Sequence, residues 1–266
     1  VVVRVVGAAA VFAAVHALRV REPWPPWRDA ARLALYSLLG VTANQWLYLE
    51  GLARTTALNA QLIVTSIPAL TVAAAVALRR EAASRAKIAG VAVAGAGALW
   101  LIGVERFDLR ALGNALVLAN STCYALYLVL ARDLLVRMRP AAFATWLFLF
   151  ASVSLTPLAA RELAAAGGWP ALSGTASAAL AFCVLGPTVG SYFLSVWALR
   201  RARSSLVAVY VYVQPLVAGA LAARWLGEPV APRTGPAALC IFAGVALVAR
   251  AEAAERRALV APPAGS

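Results

Sequence analysis

Histidine occurs once in the 266 residues, at His16, cysteine three times, and aspartate plus glutamate only 11 times. The single histidine removes HExxH-type metal sites and any Ser-His-Asp arrangement not built on His16 itself. Inside an apolar run, His16 reads as a packing residue. Cys123, Cys183 and Cys240 each stand alone among small or apolar neighbours, an odd number without pairing spacing. Neither a disulfide framework nor a metal cluster is expected from them, and packing is the reading for all three. No Gly-rich phosphate loop follows a strand, and no carboxylate sits near the middle of an apolar run. An enzyme is therefore not expected, nor a cofactor, nor a bound metal. A proton relay within a membrane lacks its usual side chains, so proton coupling would have to use Glu50 or a helix preceding Val1.

What is abundant is apolar surface: 63% of the residues are hydrophobic and 13% charged, with a mean hydropathy of +0.80. That exceeds the apolar share of soluble domains and places the chain in a lipid bilayer. A span needs about 20 mostly apolar residues. Nine segments qualify, at 1–18, 30–51, 56–78, 88–103, 112–131, 141–160, 176–199, 206–225 and 235–249. The net charge of +13 would suggest nucleic acid if it gathered on one soluble face. The arginines lie between spans instead, so no nucleic-acid partner is expected. Threading the nine spans alternately puts seventeen basic residues on one side and six on the other, Arg4 being left out as part of a span. The positive-inside rule then makes the C-terminus cytoplasmic in an inner membrane, with Val1 starting outside. Trp24 and Trp27, within a proline-stiffened loop, read as interfacial anchors.

The chain repeats itself. Moving 147 residues on from Pro68, Glu81 and Gly97 reaches Pro215, Glu228 and Gly244, three matches at one offset. Both prolines fall near the middle of an apolar run, where a missing N–H and a ring clash open the helix. Five spans separate the two glutamates, an odd number, so the halves are inverted relative to each other. Interrupted spans at corresponding places in two halves point to a transport site. Glu81 and Glu228 are each expected to stabilise the start of the next helix. If each half holds five spans, the partner of 112–131 would precede Val1, giving nine of an expected ten helices.

Polar residues inside spans should face protein or a wet cavity. Asn44 and Tyr48, Asn120 and Tyr124, and Tyr210 and Gln214 are pairs four apart, each on one helical face; Gln61, Thr65 and Pro68 follow a spacing of four then three. With Ser191 beside Gly186-Pro187, the candidate substrate-binding residues are Asn44, Tyr48, Gln61, Thr65, Asn120, Tyr124, Ser191, Tyr210 and Gln214. Pro68 and Pro215 are the helix breaks. Amides and hydroxyls would bond a small amphiphilic solute while tyrosines stack on it, and no charge near mid-span is in view for ion pairing. Ser152, Ser154 and Thr156 read as bonding back to their own helix. Gly- and Ala-rich spans at 88–103 and 235–249 read as packing surfaces, with homodimer contact left open.

Asn44-Gln45-Trp46-Leu47-Tyr48, Ile67-Pro68-Ala69 and Gly97 resemble the EamA-type repeat of the drug/metabolite transporter superfamily. So do Leu199, Gln214-Pro215-Leu216, Leu226-Gly227-Glu228-Pro229 and Gly244 in the second half. In place of Gly227-Glu228 the first half has Arg80-Glu81. The resemblance implies an all-α polytopic membrane protein of inverted five-helix repeats around a central cavity that opens alternately to each side. The repeats are 1–103, lacking its first helix, and 112–250, with 251–266 a disordered cytoplasmic tail. It implies a secondary transporter of small organic metabolites or drugs, moving them outward. The competing reading is a non-transporting membrane scaffold or assembly subunit, in which the polar residues serve only helix–helix contacts.

Overall fold

The computed structural model describes residues 2–102, 111–165, 173–226, 232 and 234–260. Among these the chain is all-α, with no strand. Nine helices follow in order: α1 Val2–Val20, α2 27–52, α3 57–77, α4 Arg85–Ile102, α5 Ala111–Leu135, α6 Pro140–Ala165, α7 Gly174–Arg201, α8 Ser204–Trp225 and α9 Thr234–Val260. Seven of them, all but α2 and α4, contain stretches long and apolar enough to cross a membrane. The protein is a multi-pass membrane protein. Where 251–266 was expected to be a disordered tail, α9 continues through Val260. The alanine-rich 251–260 stretch is a good helix former, and Glu252 and Glu255 within it are held by partners described below. Residues 261–266 and Glu228 lie outside the described residues.

Two compact units are built from interleaved segments, 1–47 with 130–201 and 48–129 with 202–266. Each therefore takes helices from both halves of the sequence. In the first unit α1 lies along α6. Phe12 and Phe148 rings meet at 5.2 Å, His16 stands edge-on to Trp146 at 5.4 Å, and the buried Thr145 hydroxyl donates to the Phe12 carbonyl at 3.0 Å. Ser152, Ser154 and Thr156 donate to carbonyls of their own helix. Trp24 packs on Trp146 and Phe150.

In the second unit α4 and α9 pack through their glycines. A Cβ placed on Gly244 would fall 2.5 Å from the Ala94 nitrogen and the Gly90 carbonyl oxygen, and one on Gly97 2.8 Å from Cys240 Cβ. Small residues let the two backbones touch. Around this pair Val72, Val91, Val209, Tyr212, Ile241 and Val245 form the apolar core.

Candidate functional site

Helix α3 is interrupted in the middle. It runs from Ala57 to Val64, turns at Thr65 and Ser66, and restarts at Ile67, with Pro68 in the first turn of the new segment. Helix α8 changes character at the matching place: Ser204–Val209 is α-helical, Tyr210–Val213 is a 3-10 turn, and Gln214 restarts the α-helix with Pro215 next. The two interruptions are 147 residues apart in sequence. A proline in a helix's first turn loses nothing, because that N–H has no intrahelical acceptor anyway. The bonding deficit falls on the segment before it.

The polar residues of the second unit divide by what surrounds them. Tyr210 is 56% exposed and Gln214 is also exposed, whereas Tyr212 is 2% exposed and points at Gly95. Tyr210 and Gln214 thus look away from the unit's own core. Gln61 and Tyr48 are half-buried. Thr65 is buried, its hydroxyl donating to the Leu62 carbonyl at 2.5 Å, so that group is spent inside the interruption. Asn120 is buried, and the Tyr124 ring lies 5.8 Å from that of Tyr127. Near the N-terminus of α3, Thr55, Asn59 and Asn114 form a hydrogen-bonded group: the Thr55 hydroxyl donates to Asn114 Oδ1 at 2.6 Å and Asn59 Nδ2 to Thr55 Oγ1 at 3.1 Å.

In the first unit both polar-lined helices carry π turns, at Leu38–Thr42 in α2 and Val184–Gly190 in α7. Such one-turn expansions leave backbone carbonyls without their usual donors and recur at functional sites. The Tyr192 phenol donates to the Gly40 carbonyl at 3.0 Å, and Thr42 and Ser154 hydroxyls meet at 2.7 Å. Asn44, half-buried, follows Gly40 by one turn. Ser191 donates to the Pro187 carbonyl, within its own helix. Arg4, inside α1, donates from Nε to Thr188 Oγ1 at 3.1 Å. No charge was expected near mid-span; Arg4, set aside in the sequence as part of a span, is bonded to a residue midway along α7.

The densest polar cluster lies at the ends of the second unit's helices. Glu81, buried, accepts from Lys87 Nζ at 2.8 Å, Ser204 Oγ at 2.6 Å, Ser205 Oγ at 2.5 Å and the Ser205 amide at 3.2 Å. Lys87 is fully buried and also lies 3.3 Å from Glu255 Oε1. Arg203 pairs with Glu255, and its amide donates to Glu252 Oε1 at 3.0 Å. Burial pushes the Glu81 carboxyl up, but the hydrogen bonds from Lys87, Ser204 and Ser205, with the Lys87 charge, outweigh it and hold the group below the usual carboxylate range. Glu81 was expected to serve the helix that follows it. It bonds Lys87 in the first turn of that helix and also caps α8, whose own N-cap residue Arg203 makes no side-chain cap, satisfying the orphan donor of Ser205.

Residues 1–103 and 111–250 match the EamA-like transporter family. The chain belongs to that family. Among curated relatives, an "uncharacterized transporter" of Archaeoglobus fulgidus is 27% identical over 227 residues, covering 84% of this chain and 77% of that protein. A "probable terminal-alkyne amino-acid exporter" of Streptantibioticus cattleyicolor is 29% identical over 261 residues, covering 97% and 85%. A solved crystal structure aligns with a TM-score of 0.78 at 18% identity over 94% of this chain and 86% of that one, a likeness of fold. As an EamA-like transporter, the protein carries polar groups inside it that sequence reasoning passed over: half-buried Arg4, and buried Asn59, Lys87 and the Ser204-Ser205 pair. Lys87 had a signal, being the chain's single lysine among 24 basic residues. The serines had none.

Proposed function

We propose that this EamA-like transporter moves small organic metabolites or drug-like solutes outward across the inner membrane, by alternating access to a central cavity formed by two inverted repeats, 1–103 and 112–250. The observation that carries the reading is the pair of interrupted helices, α3 before Pro68 and α8 before Pro215, at one sequence offset. The relative named as an exporter supports the outward direction. The seventeen-to-six distribution of basic residues supports a cytoplasmic C-terminus. Asn44, Tyr48, Gln61, Asn120, Tyr124, Tyr210 and Gln214 supply amides and phenols to the solute. Thr65 and Ser191 act more by shaping the backbone, since each hydroxyl bonds a carbonyl of its own helix.

The test is efflux from proteoliposomes with a panel of metabolites. Transport above protein-free liposomes is expected for at least one solute. Gln214→Ala should lower its apparent affinity about 10-fold, the loss of one good hydrogen bond. No transported solute in the panel overturns the function, and unchanged kinetics in Gln214→Ala overturn the site.

A further inference from the structure

A guanidinium in the hydrocarbon region is expensive, and arginines there almost always face a wet cavity, a partner or a carbonyl. Helix α7, Gly174–Arg201, has 28 residues. Thr188 is 14 residues from one end and 13 from the other, about 20 Å from each at 1.5 Å per residue. With a hydrocarbon core about 30 Å thick, Thr188 lies close to mid-depth, and Arg4 Nε is bonded to it. Arg4 holds a hydroxyl halfway along a neighbouring helix.

The Thr188 hydroxyl is itself fixed. It donates to the Cys183 carbonyl at 2.8 Å within the π turn, leaving its lone pairs to accept from Arg4. Buried Thr188 therefore orients the guanidinium by its Nε edge. The two terminal nitrogens remain as a parallel pair of donors, and among the described residues no carboxylate forms an ion pair with Arg4. Ser191 and Tyr192 follow just beyond the π turn that holds Thr188, and Tyr192 ties this part of α7 to Gly40 of α2. A fixed, half-buried guanidinium with its terminal edge unpaired matches the two oxygens of a carboxylate.

We infer that Arg4 is a substrate-binding residue, oriented by Thr188, and that the transported solute carries a carboxylate. This rests on the transporter reading above and adds the chemical class of its cargo. The solute's carboxylate would complete an ion pair that the described residues leave half made, and the apolar surroundings would suit a short aliphatic chain.

The experiment uses the full chain in lipid nanodiscs and in proteoliposomes, with matched solute pairs: 4-methylpentanoate against 4-methylpentanamide, and leucine against leucinamide. Binding is read by thermal shift and transport by efflux. The wild type should bind and move at least one carboxylate and discriminate against its amide. Arg4→Gln should raise the half-saturating concentration of the carboxylate about 10- to 100-fold and erase the discrimination, the effect of losing a charged hydrogen-bonding partner. Arg4→Lys should keep part of the preference, because it retains the charge without the fork. Thr188→Val should weaken carboxylate binding more than amide binding. If Arg4→Gln fails to fold, the Lys and Val variants decide. Equal binding of acid and amide by the wild type, an unchanged carboxylate response in the variants, or no carboxylate bound at all overturns the inference. Efflux of a solute lacking a carboxylate would leave the transporter reading standing, whereas silence across the whole metabolite panel would remove both.

Discussion

Replacing Glu81 with alanine removes an acceptor from four donors at once and leaves the fully buried Lys87 ammonium, among the described residues, with the Glu255 carboxylate alone, at 3.3 Å to Oε1 and 3.5 Å to Oε2. Breaking a buried pair by deleting one partner costs about 3–5 kcal/mol, since the remaining charge is uncompensated. The Glu255 carboxylate, partly exposed and shared with Arg203, offsets some of this, which favours the lower end, about 3 kcal/mol. At roughly 2–4 °C per kcal/mol for chains of this size, the midpoint of thermal unfolding should fall by about 6–12 °C. The measurement is unfolding of purified protein in detergent, followed by intrinsic fluorescence and by loss of the monodisperse chromatographic peak. A double variant, Glu81→Leu with Lys87→Leu, removes both charges and should lose less than Glu81→Ala alone. Sub-degree loss in Glu81→Ala, or a double variant equal to the sum of its singles, would refute the argument that a buried charge pair anchors α8.

Two further outcomes follow from the same unit. Gly244→Ala would place a Cβ 2.5 Å from backbone atoms of Gly90 and Ala94. The α4–α9 pair must then separate, at a cost of about 1–3 kcal/mol as overpacking, visible as a lower unfolding midpoint than that of Gly235→Ala, where a Cβ meets open space. The Glu81 carboxyl is held below its ordinary value of 4.5, so the folded state favours the ionised form. Its contribution is present above the unfolded-state pKa and is lost as pH falls through the lower, folded one. Stability measured by denaturant should therefore decline as pH drops below about 4.5, and less steeply in Glu81→Gln. Lys87 faces the group as a cation, and Lys87 in turn meets Glu255, a further carboxylate that is paired with Arg203. An equal decline in Glu81→Gln would assign the acid sensitivity elsewhere.

Much of the fold is legible in the sequence because its signals are local. Apolar runs of span length mark the helices, and a proline announces its own missing N–H wherever it stands, so the interruptions before Pro68 and Pro215 can be found by counting. The Gly-rich faces of α4 and α9 read as packing for the same reason. What pairs with what is not local. Arg4 meets Thr188 across 184 positions, and Glu81 meets Ser204 and Ser205 across 123 and 124. Nothing in either neighbourhood announces the other, and a serine pair at a helix start looks like any other cap.

Spacing arguments fail for a further, specific reason. Positions three and four apart share a face only while the helix keeps 3.6 residues per turn. Gln61, Thr65 and Pro68 straddle the turn at Thr65 and Ser66, so the stripe they were expected to form is cut, and Thr65 turns its hydroxyl onto Leu62. In α8 the 3-10 turn at Tyr210–Val213 advances each side chain by about a third of a circle, which sends Tyr212 into the core beside Gly95 while Tyr210 stays exposed. In α7 the π turn adds a residue around Pro187 and brings Thr188 to the position where Arg4 can reach it. The irregular turns are the same ones that break the periodicity used to pick out polar residues, so Arg4 is invisible to any count along the helix that carries its partner.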